Sequence, residues 1–264
     1  MQTIWITGGS SGIGFAVAQK FLEENWRVII SSRNEDKLKK AVEKLKKQTS
    51  KEEIFYKACD VSKYNDVEDT VAYIETDISK IDIALLNAAA YSPNRTQEFD
   101  IENYNLLIEV NLNGTINCID VLKNYMKGRN NLISVVSSPV GFRGMPTAGA
   151  YGMTKAAQLN LVESLYFDFK KLKINISVIN PGFIDTESTK LNSFKMPLLK
   201  PPSYAADKIF KGLTGKYKFD EENANRLIKK ETNYTIEISK TDFLIGNGSV
   251  STVGRTTGKN FYSA

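Results

Sequence analysis

Tyr151 and Lys155 stand four residues apart in the run Tyr151-Gly152-Met153-Thr154-Lys155, a spacing that puts a phenol and an ammonium on one face of a helix. A phenol with a pKa near ~10 exchanges protons poorly at neutral pH, and correcting that takes a shift of roughly three units, or about 4 kcal/mol. An ammonium about 4 Å away, at an effective dielectric near ~20, supplies roughly that much. The spacing does not by itself choose the residue, because Tyr166/Lys170 and Tyr204/Lys208 repeat it. Only Tyr151 has a serine thirteen residues earlier: Ser138 closes the run Leu132-Ile133-Ser134-Val135-Val136-Ser137, whereas Tyr166 and Tyr204 have Met153 and Leu191 at that offset. A serine at a strand end can donate to a substrate oxygen as charge develops on it, the task of an oxyanion stabiliser. The chain has no histidine, which excludes imidazole acid/base catalysis, Ser-His-Asp chemistry and zinc hydrolysis, so proton transfer falls to Tyr, Lys, Cys or a carboxylate.

A second cluster lies near the N-terminus, where Thr7-Gly8-Gly9-Ser10-Ser11-Gly12-Ile13-Gly14 follows a strand-like run and precedes a helical one. Glycines there permit a tight turn and the close approach of a pyrophosphate, whose charge meets the free N–H groups of the helix. The third glycine of G-x-G-x-x-G is missing, since Val17 stands in its place, but a first βα turn is where a dinucleotide binds. About twenty residues on, the second strand ends in Ser31-Ser32-Arg33, without the carboxylate that would meet an NAD ribose. Arg33 instead suits a 2′-phosphate with its planar fork of donors, so NADP(H) is expected over NAD(H).

These groups need a scaffold, and the chain alternates between two kinds of run. Strands are predicted over 3–7, 27–31, 53–56, 81–86, 131–137 and 175–179, where β-formers cluster. Helices are predicted over 13–23, 35–47, 65–78, 101–125 and 151–170, with apolar residues at three- and four-residue spacing. Such βαβ repetition predicts an α/β fold: a single doubly wound domain with a parallel sheet, helices on both faces and ligands at the carboxyl strand ends. Further on, 204–212 reads as a helix and 234–238 as one more strand, while 251–264, rich in Ser, Thr and Gly, reads as a flexible tail. The domain is therefore placed at 1–250.

The net charge of +5 is spread over runs such as Lys37-Leu38-Lys39-Lys40, a solvated helix face rather than a nucleic-acid surface. Cys59 and Cys118 form neither a disulfide framework nor a metal motif, and no metal site is expected. A strand-like run begins almost at the first residue, and no apolar stretch approaches the ~18–20 residues of a membrane span, so a cytoplasmic protein without a membrane partner is expected.

Taken in order, these motifs resemble those of the short-chain dehydrogenase/reductase family over at least residues 1–212. The family's Thr-Gly-x-x-x-Gly-x-Gly matches Thr7 to Gly14, and its Ser, Tyr and Lys match Ser138, Tyr151 and Lys155. Its Asp-Val matches Asp60-Val61, its central-helix asparagine Asn111, and its Pro-Gly turn Pro181-Gly182-Phe183-Ile184, with Thr186 following. The Asn-Asn-Ala-Gly motif reads Leu86-Asn87-Ala88-Ala89, with alanine for the final glycine. The resemblance implies a Rossmann fold and hydride transfer between NADP(H) and a carbonyl or secondary alcohol. It makes Tyr151 the general acid/base and Ser138 its partner at the substrate oxygen. Lys155 lowers the tyrosine pKa and holds the nicotinamide ribose, and Asn111 anchors a water in the proton relay. It places the cofactor against Thr7, Gly8, Ser10, Ser11, Gly12, Ile13, Gly14, Ser32, Arg33, Asp60, Val61, Asn87, Ala88, Ala89, Tyr151, Lys155, Pro181, Gly182, Ile184 and Thr186. It also implies a homodimer or homotetramer.

By the same resemblance a substrate loop lies around 186–200, and 187–200 would close as a mobile lid. Tyr91, Val140, Phe142 and Phe183 fall in the substrate segments and suggest a partly apolar small molecule; the alternative is that they pack the loops. A rival reading is a non-catalytic NADP-binding regulator or scaffold with the same fold, which would have no chemical need of Asn111, Ser138, Tyr151 and Lys155 together. Another, the extended epimerases and dehydratases, uses a different glycine spacing.

Overall fold

The computed structural model describes residues 1–93 and 99–215. Six strands, β1 (Thr3–Thr7), β2 (Arg27–Ser32), β3 (Ile54–Ala58), β4 (Ile83–Leu86), β5 (Asn131–Val136) and β6 (Ile174–Ile179), form one sheet in the order β3-β2-β1-β4-β5-β6. All neighbours are parallel. Between β1 and β4 the strand order reverses, and ligands bind outside the carboxyl ends of the strands at such a switch point.

Strand periodicity explains how the sheet is covered. In β1, Ile4 and Ile6 face one side and Trp5 the other. Ile4 and Ile6 share a core with Phe21 and Leu22 of α1 (Gly12–Glu23), Leu38 and Leu45 of α2 (Glu35–Thr49), and Ile209 and Phe210 of α7 (Pro202–Leu213). Phe21 and Phe210 meet edge to face at 4.9 Å, joining the first and last described helices. Trp5 packs on the opposite core, with Val67 and Val71 of α3 (Tyr64–Tyr73), Cys118 and Leu122 of α5 (Gly114–Met126), and Leu159 and Val162 of α6 (Gly149–Lys171). Its indole N–H donates to Ser31 Oγ at 2.9 Å, so the large ring is buried without an unmet donor. Fully burying each such aliphatic side chain contributes roughly 1.5–3 kcal/mol.

The predicted elements recur with three physical differences. The stretch 65–78 is α3 followed by a π-helical turn, Ile74–Ile78. The stretch 101–125 is α4 (Ile101–Leu107), a π-helical turn (Ile108–Asn113) and then α5. Extra residues in these turns leave the apolar pattern readable as one long helix. The strand predicted to start at residue 81 starts at Ile83, because the Ile81 N–H is taken by the buried Glu75 carboxylate at 2.9 Å. That carboxylate also pairs with Arg129 at 2.8 Å and holds the far end of the sheet from the switch point.

Asn34 caps α2 by accepting from the Lys37 N–H at 2.9 Å. After β6, Asp185 N donates to Lys200 O (2.8 Å) and Lys200 N to Phe183 O (3.0 Å), so the two ends of the 186–200 segment are tied together. No described helix is long and apolar enough to cross a membrane. The predicted strand 234–238, the tail 251–264 and everything else beyond residue 215 lie outside the described residues.

Candidate active site

The carboxyl ends of β1, β4 and β5 open into a cavity of about 460 Å³. At its glycine-lined end, Thr7 ties two strands: its hydroxyl accepts from the N–H groups of Asn87 (2.9 Å) and Ala88 (3.0 Å). Asn87 returns the link by donating Nδ2 to Thr7 O and Gly8 O. Gly8 sits at φ +66°, a conformation that a side chain resists. Gly14 makes the closest approach, since a Cβ there would lie 2.4 Å from Gly8 O. Neither Thr7 nor Gly14 lines the cavity; both shape the loop whose Gly8, Ser10, Ser11, Gly12 and Ile13 do.

Ser32, Arg33, Asp60, Val61, Asn87, Ala88, Ala89, Pro181, Gly182, Ile184 and Thr186 also line it, as do Ser138, Tyr151 and Lys155. The donor set fits a dinucleotide: a glycine cradle with no room for side chains, hydroxyls beside it, and cations at the end of β2. Sequence reasoning missed Asn34 and Lys37, which line the cavity next to Arg33. Lys37 stands in the first turn of α2, just past the end of β2, and that place was the available signal.

Tyr91, Val140 and Phe183 line the cavity, but Phe142 does not and is 43% exposed. It lies just past the short 3-10 turn Pro139–Gly141, whose Val140 faces inward instead. Thr189, Asn192 and Phe194 of the 186–200 segment add to the lining. Tyr91 donates its hydroxyl to Asn192 Oδ1.

Ser138 heads that turn, where its hydroxyl accepts from Val140 N at 3.4 Å. Tyr151 and Lys155 come from the first turns of α6, and the Lys155 Nζ lies 5.3 Å from the centre of the Tyr151 ring. Their electrostatics differ from the sequence-based expectation that the ammonium lowers the phenol's pKa. Burial pushes Tyr151 well above the usual phenol range, the neighbouring Tyr91 phenol adds to this, and a hydrogen bond with Ser138 works against it. Burial also lowers Lys155 to about 7, and it has no carboxylate partner among the described residues. The amine donates to Val136 O (2.9 Å) and Gln158 Oε1 (3.0 Å).

Asn111 sits in the π-helical turn, fully buried and behind the cavity wall. Its side chain clasps Ala90 from both sides, accepting from N at 2.7 Å and donating to O at 3.0 Å, and also donates to Thr154 Oγ1. Its main-chain oxygen accepts from Gln158 Nε2 and Thr115 Oγ1, each at 2.7 Å.

A single parallel sheet with a glycine-cradled cavity at its switch point, and a Ser-Tyr-Lys cluster lining that cavity, make a Rossmann-type scaffold. Residues 2–196 match the short chain dehydrogenase family, and the chain belongs to that family of oxidoreductases. Among its relatives is the 3-oxoacyl-(acyl-carrier-protein) reductase of Chlamydia muridarum, 32% identical over 186 residues, which cover 70% of this chain and 75% of the relative. The carbonyl reductase family member 4 of Xenopus laevis is 32% identical over 189 residues, 70% of this chain and 76% of the relative. The solved alcohol dehydrogenase of Thermococcus sibiricus, complexed with 5-hydroxy-NADP, superposes with a TM-score of 0.71 at 27% identity, covering 79% of this chain and 88% of that one.

Proposed function

We propose that the protein is an NADP(H)-dependent reductase of partly apolar carbonyl compounds, with Tyr151 as the proton donor. One observation carries the reading: Tyr151 and Ser138 line the same cavity as the glycine cradle, so a phenol and a hydroxyl meet where a dinucleotide would sit. A protonated phenol is the form required to deliver a proton to a carbonyl oxygen. Ser138 orients that oxygen, and Lys155 holds the ribose side of the cofactor. A reduced nicotinamide bound in the cavity supplies the two electrons of the reduction as hydride.

Arg33 and Lys37, with Ser32, support the choice of NADP(H), since guanidinium and ammonium groups at the end of β2 suit a 2′-phosphate. Tyr91, Val140, Phe183 and Phe194 support a substrate with apolar substituents. Self-association as a dimer or tetramer is supported by the apolar side chains left exposed on α5 and α6, Ile116, Met153 and Phe167. A cytoplasmic setting accords with the buried, unpaired thiols Cys59 and Cys118.

The test is a panel of aldehydes, ketones and diketones incubated with NADPH and followed by its absorbance. The reading requires turnover of at least one apolar member. Tight NADPH binding with no turnover across the panel would favour a non-catalytic binding role.

A further inference from the structure

Gln158 lies one turn beyond Lys155 on α6, where a helix facing a hydrophobic core ordinarily presents an apolar residue; Leu159 and Val162 on the same helix do so. Gln158 is 1% exposed, and its side chain bonds Lys155, Asn111 and Thr115. Its Oε1 accepts from Lys155 Nζ at 3.0 Å. Its Nε2 donates to Asn111 O at 2.7 Å and Thr115 Oγ1 at 2.8 Å, and Thr115 Oγ1 donates to the same Asn111 oxygen. One buried amide thus spans the space between the lysine and the π-helical turn.

We infer that Gln158 is a positioning residue for Lys155, fixing the ammonium between β5 and the π-helical turn that holds Asn111. This rests on the proposed reductase reading for its catalytic consequence, though not for its geometry. The argument is one of donor counting. An ammonium has three N–H groups. Val136 O and Gln158 Oε1 take two of them, which leaves one for the cavity that Lys155 lines. The amide itself is aimed by its two acceptors, so it cannot turn away without leaving buried polar atoms unmet. An amide also keeps its protons at neutral pH, so Gln158 sets geometry and basicity and relays no proton.

The groups facing Lys155 make Gln158 decisive for its charge. β5 offers the Val136 carbonyl, the π-helical turn and α5 act through Asn111 and Thr115, and α6 offers Tyr151, the one titratable group among them. No described carboxylate pairs with the amine. An acceptor on an ammonium favours the charged form, so removing it lowers the lysine pKa and a carboxylate in its place raises it.

The test follows the Lys155 ε-carbon NMR signal, assigned by its loss in Lys155→Met, against pH in wild type, Gln158→Leu and Gln158→Glu. The midpoint moves down by about one unit in the leucine variant and up by at least as much in the glutamate variant. With NADPH and a carbonyl from the panel, kcat at neutral pH falls about five- to tenfold in Gln158→Leu and is higher in Gln158→Glu than in Gln158→Leu. Midpoints that coincide with wild type in both variants would overturn the inference. If the leucine variant does not fold, the near-isosteric glutamate variant decides alone: an unshifted midpoint there overturns it. A wild-type protein that turns over no carbonyl would sink the reductase reading while the titration still decides on Gln158.

Discussion

The rings of Tyr91 and Tyr151 meet edge to face with centroids 4.8 Å apart, and the Tyr91 hydroxyl bonds Asn192 in the 186–200 segment. The segment lining the cavity is thereby linked to Tyr151 through one aromatic side chain. Tyr91→Phe keeps the ring contact and loses the bond. A neutral hydrogen bond is worth about 0.5–1.5 kcal/mol, so KM for a carbonyl substrate rises roughly two- to tenfold while kcat holds. A fall in kcat with KM unchanged would put Tyr91 in the chemical step instead.

Arg33, just past the end of β2, and Lys37, in the first turn of α2, both line the cavity. Arg33→Ala lowers kcat/KM for NADPH about tenfold to a hundredfold, the worth of a charge-assisted hydrogen bond, and leaves NADH turnover nearly unchanged. Lys37→Ala acts in the same direction. Equal losses with both cofactors would remove the 2′-phosphate from the account.

Lys155, lowered to about 7, makes stability depend on pH in a defined sense. Between that value and the ordinary lysine value near ~10.4, the unfolded chain binds a proton that the folded chain does not, so stability rises with pH. Below the folded value both states are charged and the native state carries the full desolvation cost. Lys155→Met removes the group, so the stability of the variant relative to wild type improves as pH falls from about 10 to about 7, by on the order of 2–4 kcal/mol. Denaturant titrations at the two ends of that window measure it. A difference that does not change with pH would mean that Lys155 keeps its ordinary pKa.

Gly14→Ala forces a methyl against Gly8 O, and the obstacle is backbone rather than a side chain that can swing aside. Overpacking of this kind costs about 1–3 kcal/mol, and because the strained atoms belong to the cradle, NADPH binding weakens with it. Thermal melting with and without NADPH separates the two effects. Wild-type affinity in a destabilised variant would mean that the loop's shape is not what binds the cofactor.

The sheet was legible because each of its strands is a short β-rich run set between amphipathic helices, and the first glycine loop falls where such a sheet must turn. Ser138 and Tyr151 were legible for the same reason: a strand end and a helix start locate them. The π-helical turn holding Asn111 was hidden, since an extra residue in a turn changes the hydrogen-bonding ring and leaves the apolar pattern nearly intact. Gln158 was hidden because the Tyr-x-x-x-Lys spacing ends at the lysine and says nothing of the next turn of the helix. A polar residue three positions later on the buried face of a helix was the available sign. The burial acting on both Tyr151 and Lys155 was not legible either, since a sequence gives the neighbouring charge but not how deeply the pair is held. Phe142 followed from its segment alone, and the 3-10 turn sends Val140 into the cavity in its stead.

Tyr151→Phe tests the central claim most directly, because it removes one oxygen and leaves the ring packed against Tyr91. Steady-state reduction of the best carbonyl substrate, measured beside NADPH binding by fluorescence, is predicted to fall at least about a hundredfold while the NADPH Kd stays within about threefold of wild type. Turnover by the phenylalanine variant at a rate near that of wild type would contradict the account.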